Sequence, residues 1–189
     1  MKKKLSVAAL LVALLSLISY GTIAFFTAEN VAHNVITTGN IDIELLEWAD
    51  EEKTIPFPKE GIEGVMPGAE IIKIAEVKNT GGNKAYVRVG VQKEISLENE
   101  DSNLANPDDI QVNYNQEEWT LGADGFYYHL KALEPGEMTK PLFNSVHFNQ
   151  EMGNIYQNST INIHVTAYAT QAANNGNNAL EALGWPDSQ

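Results

Sequence analysis

Cysteine is absent from this 189-residue chain, which rules out disulfide bonds and metal sites built on thiolates. Basic residues are also scarce, since 12 Lys and Arg stand against 25 Asp and Glu and give a formal net charge of −13. Binding to nucleic acid or to anionic lipid depends on clustered Lys and Arg. The composition therefore argues against a nucleic-acid partner and leaves membrane contact to apolar segments alone.

Recognisable catalytic motifs are missing as well. The sequence has no G-x-S-x-G nucleophile turn and no H-E-x-x-H pair of zinc ligands. No histidine lies within four residues of another; the four are His33, His129, His147 and His164. We therefore predict no catalytic residue and no metal ligand, and interpret the histidines as surface or aromatic-packed residues. A metal site assembled from distant strands remains the alternative.

The N-terminus has the pattern of an export signal. Lys2–Lys4 precede the apolar run Leu5–Ile18, and Thr22-Ile23-Ala24 places small residues where signal peptidases accept them. The sequence predicts a signal peptide over residues 1–24, with cleavage after Ala24 or Phe25. The exported chain of about 165 residues has the size of one domain. It carries 9 basic and 25 acidic residues, a charge of −16. A leader retained as a membrane anchor is the alternative.

Short alternating segments dominate the rest of the chain. Period-two patterns begin at Ile41 and at Ile161, and further strands are expected at 71–78, 85–91, 119–121, 125–130 and 142–148. We interpret Asn79–Asn83 as a hairpin joining its two neighbours. Pro67-Gly68 and Pro135-Gly136 predict two similar turns. Many short strands with few helical periods predict an all-β fold, a single antiparallel β-sandwich with short helical insertions near 107–110 and 178–183.

Four stretches of the sequence share the pattern of a known family. Residues 21–45 read GTIAFFTAENVAHNVITTGNIDIEL, and the other three read MPGAEI, VKNTGGNKAYVRV and INIHVTAYATQA. Together they resemble the TasA/camelysin (CalY) family of Gram-positive proteins, in its clostridial branch. The resemblance implies a jelly-roll sandwich, release by a signal peptidase of the SipW type, and secretion to the extracellular matrix or cell surface. It also implies biofilm-matrix fibres made by N-terminal strand donation. The segment 48–64 and the block DGFYYHL have no counterpart in the founding members.

The resemblance directs attention to the mature N-terminus. We predict four parts: signal peptide 1–24, a candidate donor strand at 25–38, the sandwich domain at 39–175 and a tail at 176–189. The apolar anchors of the donated strand would be Phe25, Phe26, Val31, Val35 and Ile36. The expected partner is another copy of the chain, with other matrix components as further partners. An ordinary edge strand within the same domain is the alternative interpretation of 25–38.

Three further readings stay open. The acidic run 98–103 and Asp108-Asp109 carry the oxygen ligands that Ca²⁺ prefers, but they lack the EF-hand spacing. We interpret the run as a solvated loop, with a Ca²⁺-binding site as the alternative. The aromatic set Trp119, Phe126, Tyr127 and Tyr128 is interpreted as core packing, with a carbohydrate or protein contact as the alternative. Besides a fibre subunit, the chain could be a camelysin-like metallopeptidase or a monomeric surface adhesin.

Overall fold

The computed structural model describes residues 35–37, 41–59, 62–63, 66–97, 105–153, 156 and 159–187. The signal peptide, its cleavage site and the acidic run 98–103 lie outside these residues and stay predictions, as do the domain boundaries. The described strands are β1 (Val35–Thr37), β2 (Ile43–Trp48), β3 (Ile62–Glu63), β4 (Glu70–Asn79), β5 (Ala85–Ser96), β6 (Ile110–Val112), β7 (Trp119–Leu121), β8 (Tyr127–His129), β9 (Phe143–Phe148) and β10 (Thr160–Gln171).

The strands form two sheets that face each other across a hydrophobic core. The first sheet has the order β1-β10-β5-β8-β7, with β3 also paired to β10, and the second has the order β2-β4-β9-β6. Neighbouring strands are antiparallel, apart from the parallel pair β1 and β10. The predicted all-β antiparallel sandwich is therefore confirmed. Among the described residues, no helix has the length and apolar character needed to cross a membrane.

The alternating patterns bury their apolar faces between the sheets. One group of buried residues includes Leu45, Val77, Val87, Phe143 and Ala167, and a second lies towards Ile95, Ile110, Phe148 and Ile161. Ile163 and Val112 pack against both groups. The core is thus continuous from one end of the sandwich to the other, as a cysteine-free domain requires.

The predicted hairpin at Asn79–Asn83 is wrong. Strand β4 belongs to the second sheet and β5 to the first, so this segment crosses the sandwich. The carbonyl of Asp42 accepts hydrogen bonds from the N–H groups of Thr80 and Gly81 at 3.0 and 2.9 Å. The Asn79 side chain donates to the carbonyl of Leu133 at 3.0 Å. The turn residues in the sequence indicate that the chain changes direction here. The sheet that the next strand joins depends on hydrogen bonds to Asp42 and Leu133, which are distant in the sequence.

The two Pro-Gly turns are confirmed. Gly68 and Gly136 have φ values of 77° and 81°, which glycine adopts without the penalty that a Cβ would bring. The N–H of Ala69 donates to the carbonyl of Met66, and that of Glu137 to Glu134, both at 3.0 Å. Each turn leads into backbone pairing on the second sheet.

One of the two expected helical insertions is present. Pro107–Asp109 forms a 3-10 turn, and the N–H of Asp108 donates to the Asn106 side chain at 3.1 Å. The helix expected at 178–183 is wrong, since this stretch consists of turns. The Asn175 side chain accepts from the N–H of Leu183 at 2.8 Å and donates to its carbonyl at 2.9 Å. Such side-chain bonds compete with helical backbone bonds.

The C-terminal tail docks on the outer face of the first sheet. The Arg88 guanidinium lies 4.2 Å from the Phe126 ring centre and 5.0 Å from that of Trp185, and it donates to the carbonyl of Pro186 at 3.0 Å. Ala179 and Ala182 of the tail are buried against Tyr86 and Tyr128. Arg88 therefore fixes the tail through charge, aromatic contact and a backbone hydrogen bond at once.

Replacing Trp185 with alanine should lower the free energy of unfolding by about 2–4 kcal/mol, because the change removes a large packed ring and a cation–π contact. Urea denaturation would measure the loss. Leu183→Ala is the matched control in the same tail, since Leu183 is 76 % exposed and its truncation should change stability by less than about 0.5 kcal/mol. Equal effects of the two changes would contradict the docking role.

Candidate functional site

Strand β10 keeps part of one edge without a partner strand. On one side it pairs with β5 along its whole length, from Thr160 to Gln171. On the other side, β3 pairs with Thr160 and Ile161, and β1 pairs with Ala167–Ala169. Residues 162–166 have no strand opposite them on this side within the described part of the chain. Unpaired backbone donors and acceptors of this kind favour the addition of another strand.

Side chains in this open stretch follow the alternation of β10. Val165 is buried in the core, whereas Ile163 is only partly buried. On the opposite face His164 is exposed, with its Nε2 atom 3.3 Å from the Glu94 carboxylate. Within the described residues, this stretch thus combines backbone groups that face no strand with a partly buried isoleucine. Both properties suit a strand whose alternate residues are apolar.

The predicted assembly residues are only partly described. Val35 and Ile36 lie in β1, where Val35 is opposite Ala167 and Ile36 is opposite Tyr168. Phe25, Phe26, Val31 and the cleavage residue Ala24 lie outside the described residues. The structure therefore places the end of the candidate donor segment beside the open stretch of β10. Their roles in assembly stay predictions.

The described histidines do not come together. His164 lies on β10 in the first sheet and His147 on β9 in the second. His129 is buried on β8, with Nδ1 2.7 Å from the carbonyl of Lys131. His33 is outside the described residues. Where the structure describes the chain, no three His, Asp or Glu side chains are grouped so that they could hold a metal.

The carboxylate of Glu118, just before β7, contacts His129 and two lysines. It lies 3.0 Å from Lys140 Nζ, 3.8 Å from Lys131 Nζ and 3.7 Å from His129 Nε2. The hydrogen bond from Lys140 lowers the pKa of Glu118. Burial lowers the pKa of His129 and favours its neutral form. With Nδ1 held by a backbone carbonyl and the ring against Trp119, His129 has the surroundings of a packed structural residue.

The remaining candidates are also held by structural contacts. The Asp109 carboxylate accepts from Tyr156 at 2.6 Å and from Asn149 at 3.2 Å, so it is committed to joining two loops. Trp119 and Tyr128 are buried, and Tyr127 stacks on Tyr114 with ring centres 4.1 Å apart. The interpretation of the aromatic set as core packing is confirmed for these rings. Sequence reasoning missed Arg88, whose surroundings depend on the folded tail.

The described residues define the chain as a cysteine-free antiparallel β-sandwich. The family model described as camelysin metallo-endopeptidase matches residues 1–135, and the chain belongs to that family. The match confirms the resemblance seen in the N-terminal sequence. No curated protein and no solved structure matches the chain. The family description names a metallo-endopeptidase, and no three His, Asp or Glu side chains among the described residues are grouped as ligands of one metal ion.

Proposed function

We propose that the chain is a secreted structural subunit of extracellular biofilm-matrix fibres. In such a fibre the N-terminal segment of one subunit would pair with the β10 edge of the next. The observation that supports the proposal is the parallel pairing of β1 with β10, beside a stretch of β10 that faces no strand among the described residues. Family membership supports a related extracellular protein, and strand addition supplies the mode of assembly.

The pairing of β1 is small enough to be exchanged between subunits. It consists of three residue pairs, from Val35 with Ala167 to Thr37 with Ala169. Parallel pairing is slightly less stable per residue than antiparallel pairing. A second copy that offers the same segment would restore the same backbone bonds. Exchange therefore costs little in contacts and requires only that the connection at 38–42 changes direction.

Continuing the same register gives the segment a longer interface. Residues 30–34 would lie opposite 162–166, which is the open stretch of β10. At this register Val31 would come beside Ile163 and would complete the cover of that partly buried side chain. Residues 25–29 would lie further on, where β3 already pairs with Thr160 and Ile161. Phe25 and Phe26 would therefore contact the acceptor beyond the continuous ladder.

Length at the N-terminus gives the first test. A chain starting at Phe25 or Phe26 should form fibres, and one starting at Gly39 should remain monomeric, because the latter lacks the whole donor segment. Size-exclusion chromatography and negative-stain microscopy would show the difference.

Charged residues in place of Phe26 and Val35 should also abolish polymer while leaving the monomer folded. Normal fibres from that variant would contradict the assembly assignment.

An introduced cysteine pair gives the second test, and the cysteine-free background makes it unambiguous. Val35→Cys with Ala167→Cys joins two positions that face each other in the ladder. In oxidised fibres the pair should produce a ladder of covalent oligomers on a non-reducing gel. Val35→Cys with His164→Cys is out of register and is the matched control. Only intrachain bonds in well-formed fibres would show that β1 stays in its own domain, against strand exchange.

The family description favours a metal-dependent peptidase as the second candidate function. A peptidase would cleave a protein substrate, lose this activity with a chelator, and lose it again when a histidine ligand is replaced. We expect no chelator-sensitive cleavage, because the described histidines are far apart in the fold and His129 is held by its neighbours. Activity abolished by His129→Gln or His147→Gln would overturn this expectation. Monomers from every chain length would instead support a surface adhesin.

A further inference from the structure

Strand β4 buries two charged side chains that neither assembly nor peptidase chemistry uses. Lys73 is 1 % exposed and Glu76 is 2 % exposed. The five residues from Lys73 to Val77 are all buried, although a strand with one solvated face would alternate. The segment 49–59 explains the pattern, because it folds back onto the second sheet. The N–H of Phe57 donates to the carbonyl of Glu47 at 2.9 Å.

Lys73 meets a carboxylate from the neighbouring strand inside this covered region. Its Nζ atom contacts Oε1 of Glu47 on β2 and lies 3.6 Å from the centre of the Phe57 ring. Glu47 is opposite Ala75 in the β2–β4 ladder. The β4–β9 register shifts between Ile72 and Ala75, and a bulge of this kind re-aims a side chain. The register shift therefore occurs where the Lys73 amine is placed against the Glu47 carboxylate.

We propose that Lys73 and Glu47 react to form an intramolecular amide bond that ties β4 covalently to β2. The aromatic ring excludes water on one side of the amine, and the side chain of Glu47 is 19 % exposed, which leaves a way out for the product. An ion pair in this place must keep two charges out of water, at a cost that close contact does not always offset. An amide has no charge to bury.

The reaction balances without a cofactor or oxidant. Burial lowers the pKa of Lys73, against the opposing attraction of Glu47, which raises the fraction of neutral amine. A proton passes from the ammonium to the carboxylate within the pair. Nζ then attacks Cδ of the protonated Glu47, the Cδ–OH bond breaks, and the hydroxyl leaves as water with the second proton of the amine. One positive and one negative charge disappear together, so the net charge of the chain is unchanged.

The second lysine–glutamate pair of this region provides the internal comparison. Lys53 contacts Glu76 at 2.5 Å, but the Lys53 side chain is 35 % exposed. Water therefore still reaches the Lys53 amine, whereas Lys73 is almost fully enclosed. The proposal therefore assigns the amide to Lys73 and Glu47 and leaves Lys53 and Glu76 as an ion pair.

Intact mass spectrometry of the purified, denatured secreted chain tests the proposal. Most molecules should be lighter, by the mass of one water, than the sequence that follows the observed N-terminus. Tryptic digestion should leave Lys73 uncleaved and yield a branched peptide that contains Glu47 and Lys73. Full mass in the wild-type chain, or the water loss mapped to other residues, would overturn the proposal.

Three variants locate the bond. Lys73→Arg keeps the positive charge without the reactive amine, and Glu47→Asp keeps the carboxylate but shortens its reach; both should show full mass. Lys53→Arg should retain the loss of water. The assignment would be contradicted if the mass of Lys73→Arg were still lower by one water, or if a folded Lys53→Arg variant had its full mass. The branched peptide decides the matter from the wild-type chain alone if a variant fails to fold.

Discussion

Backbone hydrogen bonding along β10 is the interaction on which the architecture depends. This strand pairs with β5 at every position, and its other side is divided among a short antiparallel strand, an open stretch and a short parallel strand. A sheet edge must be covered, charged or used for pairing. Here the N-terminal strand covers one part of it. The same constraint therefore links the fold of the domain with the proposed association of its copies.

Without disulfides, the domain is stabilised by its core and by segments that pack on the outer faces of both sheets. The sandwich core is continuous, and the tail is fixed by Arg88 against Phe126 and Trp185. On the other sheet, the segment 49–59 covers charged groups of β4. Both places set the nitrogen end of a basic side chain against an aromatic ring, Lys73 on Phe57 and Arg88 on Phe126 and Trp185.

Sequence patterns predicted both Pro-Gly turns and seven strands, β2, β4, β5, β7, β8, β9 and β10, because these depend on alternation and on the backbone freedom of glycine. The short strands β3 and β6 were not predicted. The patterns could not decide the sheet to which β5 belongs, since that depends on bonds from Asp42 to the crossing segment. The sequence of β4 gives no sign that Lys73 and Glu76 are buried, because their burial depends on the segment 49–59, which folds over them. The open stretch of β10 was equally hidden, because an unpaired edge is a property of neighbours and not of the strand's own residues.

The parallel orientation of β1 has a consequence for any assembly built by exchanging it. The donating segment and the accepting edge are different surfaces of one subunit, so each contact is head-to-tail. An open filament forms where the donation is not returned reciprocally and the rotation between copies does not close into a ring. A filament made in this way is polar. One terminus presents an unfilled edge and the other an unused N-terminal segment, and the two grow by different encounters. A cell could therefore anchor, start or stop such a filament at one end without affecting the other.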